Sequence, residues 1–101
     1  MPTLYEYFGL FIYFYSREHL PIHIHAECDD RMCKVEFTVI DGKVSGFEIF
    51  QIGNEPMLRN SEIKKLKELL KNYSSDIIKK WEAFHVEKRK IKTVKITKRL
   101  K

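Results

Sequence analysis

His23 and His25 stand two residues apart, and Glu27 follows at the same interval, inside the run Glu18-His19-Leu20-Pro21-Ile22-His23-Ile24-His25-Ala26-Glu27. In an extended chain alternate side chains share a face. The spacing therefore predicts both imidazoles and the carboxylate on one side, with Ile22, Ile24, Ala26 and Cys28 on the other. Two imidazoles about 7 Å apart at Cα suit two chemistries. As a general base and general acid titrating near neutrality, they fit RNA cleavage, where the 2′-hydroxyl is an internal nucleophile and a nearby Lys or Arg steadies the phosphorane. His23 and His25 are then the catalytic candidates, and Tyr13 and Tyr15 offer rings on which bases stack. That reading needs no cofactor. Alternatively His23, His25, His19 and Glu27 ligate one divalent metal such as zinc. The plainest alternative is that the histidines only furnish the polar face of a sheet.

The elements that must hold this strand are legible as periodicity. Tyr5 to Tyr15 is aromatic and β-branched, with Gly9 breaking it into two short strands or bending one. From Leu10 to Tyr15 both phases are apolar, which predicts a central strand or one whose second face meets another chain. Asp29-Asp30-Arg31 is a polar turn. Met32 to Ile40 alternates, with Cys33, Val35, Phe37 and Val39 against Lys34, Glu36 and Thr38. Asp41-Gly42 suits a type I′ hairpin turn before a strand from Val44 to Ile52, with Gly46 as a bulge. Cys28 and Cys33 both fall in the apolar phase, which predicts buried thiols rather than metal ligands.

Beyond Gly53-Asn54-Glu55-Pro56 the period changes. Ile63, Leu66, Leu69, Leu70 and Tyr73 recur at helical spacing after an N-cap at Asn60 or Ser61. Ser74-Ser75 predicts a fresh cap, and a second helix then presents Ile77, Ile78, Trp81 and Phe84. Trp81 is expected to anchor that helix to the sheet and His85 to lie at the surface or rim. Val94, Ile96 and Leu100 alternate with Lys95, Thr97 and Arg99 in a last strand with one cationic face. The expectation is a single α+β domain over 1–101: an antiparallel sheet in the order β-β-β-β-α-α-β, with two amphipathic helices on one face and 88–101 as a basic strand or tail.

Charge is divided along the chain. Residues 1–50 carry four Lys/Arg against eight Asp/Glu, and residues 51–101 carry fifteen against six. Lys88, Arg89, Lys90, Lys92, Lys95, Lys98 and Arg99 lie in a stretch with no acidic residue, which points to an anionic partner: nucleic acid or an acidic protein. The chain has no apolar run long enough to span a membrane and no basic n-region with an apolar h-region behind it. Two cysteines are too few for a disulfide scaffold. These features predict a cytoplasmic protein with reduced thiols.

Met1-Pro2-Thr3, Phe8-Gly9-Leu10, Tyr15, His19, Pro21, His23-Ile24-His25-Ala26-Glu27 and the later Trp81-Glu82 resemble a small bacterial family, domain of unknown function 4160, with an MPT start and a Pro-Pro-His-x-His-Ala/Val motif. Ile22 stands where that family usually has its second proline, and the tail from Lys88 is longer and more basic than the family's usual end. The resemblance implies no settled activity. It implies a gene arrangement beside another very small protein, like a toxin–antitoxin pair. The leading expectation is thus a small protein that binds or cleaves RNA through the paired-His strand. The alternatives are a protein-interaction module, as a homodimer or with a small partner encoded nearby, and a His-x-His metal-binding protein.

Overall fold

Three tight turns organise the sheet, each marked by a residue with positive φ. A computed structural model of the chain describes residues 3–14 and 22–100. β1 (Thr3–Tyr7) and β2 (Leu10–Tyr13) form a hairpin through Phe8 and Gly9, whose φ values are 46° and 85°. The aromatic run is therefore two strands, because both central turn residues adopt the positive φ of a type I′ turn. Asp29, at φ 56°, turns β3 (His23–Cys28) into β4 (Arg31–Ile40). Asp41 and Gly42, at 52° and 77°, turn β4 into β5 (Lys43–Phe50), the hairpin that Asp-Gly predicts. Between Thr38 and Val39 the register slips opposite Gly46 and Val44, and Ser45 Oγ there donates to the Thr38 carbonyl at 3.3 Å.

One long helix follows. α1 (Asn60–His85) runs through the Ser74-Ser75 pair without a break, so the expected second helix is the second half of the first. Ser74 is not a cap: its hydroxyl donates back to the Leu70 carbonyl four residues earlier, the arrangement a serine inside a helix can adopt. Nor does the apolar stripe pause, since Leu66, Leu69, Leu70, Ile77, Ile78 and Trp81 are all buried along one side. The N-cap is Arg59 rather than Asn60 or Ser61, because the Glu62 carboxylate accepts the Arg59 N–H at 2.7 Å. At the other end Lys88 takes φ 58°, and the Arg89 N–H donates to the Ala83 carbonyl at 2.8 Å.

The chain then returns to the sheet as β6 (Val94–Ile96). Strand order is β5-β4-β3-β2-β1-β6, and β6 pairs with β1 in parallel, Val94 opposite Tyr5 and Ile96 opposite Tyr7. The sheet of the described residues is therefore mixed, with six strands and one helix, not the purely antiparallel sheet with two helices. The reason is tertiary: β1 offers an unpaired edge, and the chain leaving α1 meets it at the Thr3 end. Thr93 Oγ1 donates to the Thr3 carbonyl at 2.7 Å, and the Leu100 N–H donates to the Tyr7 hydroxyl at 2.8 Å.

The core lies between α1 and one face of the sheet. Tyr5, Tyr7, Leu10, Ile12, Ile24, Ala26, Cys33 and Val35 are each fully buried and join α1 in one cluster. Each large aliphatic there is worth about 1.5–3 kcal/mol of burial. Among the described residues, no helix is long and apolar enough to cross a membrane.

Candidate functional site

Strand phase carries the site. β3 sends Ile24, Ala26 and Cys28 into the core, and His23, His25 and Glu27 to the face away from α1. Among the described residues no other element lies over that far face. The ladder sets its neighbours: His25 faces Tyr13 on β2 and Lys34 on β4, His23 faces Glu36, and Glu27 faces Phe11 and Met32. Directly opposed residues in an antiparallel pair have Cβ atoms about 4.5–5.5 Å apart. Hence His23, Glu36, His25 and Lys34 occupy the corners of one square.

The rings make the square compact. His23 and His25 have centroids 5.6 Å apart, edge to face at 61°. Tyr13 stacks on His25 at 5.6 Å and 16°, and its hydroxyl donates to Glu27 Oε2 at 3.2 Å. Lys34 Nζ lies 3.0 Å from Glu36 Oε2 and 5.6 Å from the Phe50 ring centre. His25 is only 6% exposed, whereas His23 is half-buried. The two histidines therefore differ in exposure, and His25 is clamped between Tyr13 and His23. Phe11 and Phe50, 40% and 37% exposed, flank the square as open aromatic surface.

The metal reading joins His19, His23, His25 and Glu27. Glu27 is engaged by Tyr13, and His19 lies outside the described residues. Among the described residues it is Cys28, Asp29 and Glu62, on the other side of the sheet, that bring ligand atoms within 4.8 Å of one another. Two of them, the Cys28 thiol and the Glu62 carboxylate, bond each other. Burial, and the Glu62 carboxylate that the Cys28 thiol bonds, push the thiol up to about 11. Burial opposes charge on Glu62, but the Cys28 thiol, the Arg59 N–H and the guanidiniums of Arg59 and Arg31 outweigh it and hold the carboxyl below its ordinary range. Cys33, walled in by the core, is pushed up to about 12. Both cysteines are free and buried, as their phase predicts.

The cationic tail divides. Lys95 faces Glu6 across the β1–β6 pair, Arg99 binds Glu68 at 3.2 Å, and Lys88 and Lys98 are exposed. Arg89, Lys90 and Lys92 instead line a groove beside α1 together with Lys79 and Lys80. The tail and the His pair are thus not one site. β6 lies three strands from β3, roughly 14 Å across the sheet. Sequence reasoning missed the Lys34–Glu36 partners and the helical lysines. Alternation of Met32 to Ile40 put Lys34 and Glu36 on the polar face, but only register brought them to the histidines.

His85, the last residue of α1, is half-buried, as a rim position would be. It packs among Phe14, Trp81 and Phe84, with ring centres 4.8, 4.7 and 4.9 Å away, and its Nδ1 lies 3.2 Å from the Trp81 carbonyl oxygen. Trp81 is buried as expected of an anchor, although its Nε1 has no hydrogen-bond partner among the described residues.

No curated protein and no solved structure matched the chain. A family model did match, over residues 9–82, which includes the His strand, its partner strands and nearly all of α1. The chain belongs to that family, described as a domain of unknown function (DUF4160).

Proposed function

We propose that this chain is a small RNA-binding protein that cleaves RNA on the far face of its sheet. The square of His23, Glu36, His25 and Lys34 is the observation that carries this reading. His23, the accessible imidazole, exchanges the protons of the reaction, with Glu36 opposite it as the second proton-carrying group. One takes the proton of a 2′-hydroxyl as its oxygen bonds to the adjacent phosphorus. The other gives a proton to the 5′-oxygen as the P–O bond breaks, leaving a 2′,3′-cyclic phosphate and a 5′-hydroxyl. Lys34 is the cation nearest the developing negative charge, released from Glu36 as the phosphate arrives. His25 holds the imidazole pair in place, and Phe11 and Phe50 offer surfaces for bases.

Incubation with total RNA tests this directly. Wild type is expected to produce fragments with cyclic phosphate ends, and His23→Ala/His25→Ala to lose activity by about 10²-fold or more. Equal degradation by both proteins, or none by either, removes the cleavage.

A second reading is favoured by the charge of the same face. Glu6, Glu27, Glu36 and Glu48 outnumber Lys34 and Lys95 there, beside exposed Phe11 and Phe50. A basic partner protein, such as a small protein encoded nearby in a toxin–antitoxin-like pair, fits that surface. Light scattering on the chain co-expressed with its genomic neighbour tests this reading. An unchanged monomer mass counts against it.

A further inference from the structure

The second half of α1 and the segment after it form the two walls of one groove. Lys79 and Lys80 stand on the helical wall, Arg89, Lys90 and Lys92 on the other, and Glu87 is the one carboxylate that lines it. Ala83 and Ile91 also line it. Lys80 is held 3.4 Å from Asp76, and Arg89 is held 3.0 Å from Glu87. Lys79, Lys90 and Lys92 have no ion pair among the described residues. A helix C-terminus attracts cations through its dipole, but that effect falls off within the last turn. It accounts for neither Lys79 on the helix nor the row beyond it. Five cations line a single surface; Lys80 and Arg89 already have carboxylate partners, and a polyanion would relieve the repulsion among Lys79, Lys90 and Lys92.

The geometry points to this groove as the binding path for the phosphate backbone of a single-stranded RNA. The inference takes the nature of the ligand from the RNA reading above, but it does not depend on cleavage or on the His pair. A flexible single strand can bring its phosphates to cations spread over a short curved surface, whereas a duplex holds its phosphates at a fixed spacing. A membrane surface calls for a broad amphipathic face with exposed apolar groups, which a concave lysine-lined groove does not offer. The groove lies against α1, on the opposite layer from His23, so strand holding and strand chemistry are separate functions of one small fold.

The probe is a fluorescein-labelled twelve-nucleotide oligouridine, followed by anisotropy from low to moderate salt. Wild-type affinity is expected to fall with rising salt, by a log–log slope of about −0.7 for each phosphate neutralised. Lys79→Glu/Lys90→Glu is expected to weaken binding at least 10-fold and flatten the slope. The milder Lys79→Gln/Lys90→Gln, with an unchanged thermal midpoint, is expected to fall between. A 2′-O-methyl oligouridine, which lacks the nucleophilic hydroxyl, is expected to bind as tightly, so a chain that binds the strand but leaves RNA intact defeats the cleavage reading and not the groove. Three results overturn the groove: no oligouridine binding by wild type at low salt, wild-type affinity in the folded Lys79/Lys90 variants, or loss of binding only in Lys34→Glu on the far face. Competition by polyglutamate as effective as by unlabelled oligouridine overturns the RNA assignment and makes the ligand an acidic polypeptide.

Discussion

His25 and Cys28 lie three residues apart on one strand and face opposite layers, and their chemistry follows from that. His25 is gripped by aromatic rings on the far face, while the Cys28 thiol sits against the Glu62 carboxylate of α1. Cys28 is held at about 11 and Cys33 at about 12, both chiefly by burial. A thiol reacts as thiolate, so neither should label in the native protein with a thiol reagent at pH 7–8, and both should label on unfolding. Fast native labelling would show that the core opens readily. The sign for stability follows the same shifts. Raised folded values keep both groups neutral in the native state, so their contribution is complete below the unfolded thiol value of about 8.5. It is lost as pH rises through that value towards 11–12, a decline that Cys33→Ala should make shallower in urea melts followed from pH 8 to 11. Tyr5 works in the same direction at still higher pH, because burial and its hydrogen bond to Asp76 hold the phenol above its ordinary range.

At the scale of elements, the long helix is the largest departure from periodicity. Ser74-Ser75 looks like a cap because serine hydroxyls compete for backbone donors, and that preference is local. Here it loses to continuity of the apolar stripe on both sides, from Leu66 to Trp81. A substitution separates the one-helix from the two-helix arrangement. Ser75 is exposed and lies mid-helix, so Ser75→Pro should cost about 3 kcal/mol or more. In a loop between two helices the same change would be nearly neutral. Ser75→Ala should stabilise by a few tenths of a kcal/mol, since alanine loses least on entering a helix. Equilibrium urea unfolding reads both. The hairpins show the opposite case, in which local chemistry suffices. Asp41-Gly42 predicts its own turn, while Phe8-Gly9 reaches the same geometry with a residue that carries no such signal.

For the whole molecule, the decisive event is the return of the chain to β1. β6 closes the edge beside Tyr5 and Tyr7, buries Ile96, and brings Arg99 to Glu68. Removal of residues 92–101 should therefore cost roughly 2–4 kcal/mol, from one buried isoleucine and a few hydrogen bonds. It should also favour association through the uncovered β1 edge. Chemical denaturation and size-exclusion chromatography measure the two effects. A truncated chain as stable and as monomeric as the full one would show that β6 is dispensable. The same return divides the charge: the far face of the sheet carries more carboxylates than cations, while α1 and the tail carry most of the lysines.

The sequence by itself determined strand phase. Alternation in His23–Cys28 and in Met32–Ile40 correctly separated the histidine face from the two thiols, because a period of two leaves a side chain only two directions. It also placed Trp81 in the core and put the family in view. Only the tertiary structure decided which residues meet. That His23 faces Glu36, that Lys79 and Lys80 complete the groove with Arg89, Lys90 and Lys92, and that β6 runs parallel to β1 depend on register and crossing. These contacts cross turns and segment ends, and periodicity within one segment holds no information about which other segment a given face will find. The His strand is thus visible as a pattern, and its neighbours turn that pattern into a candidate site.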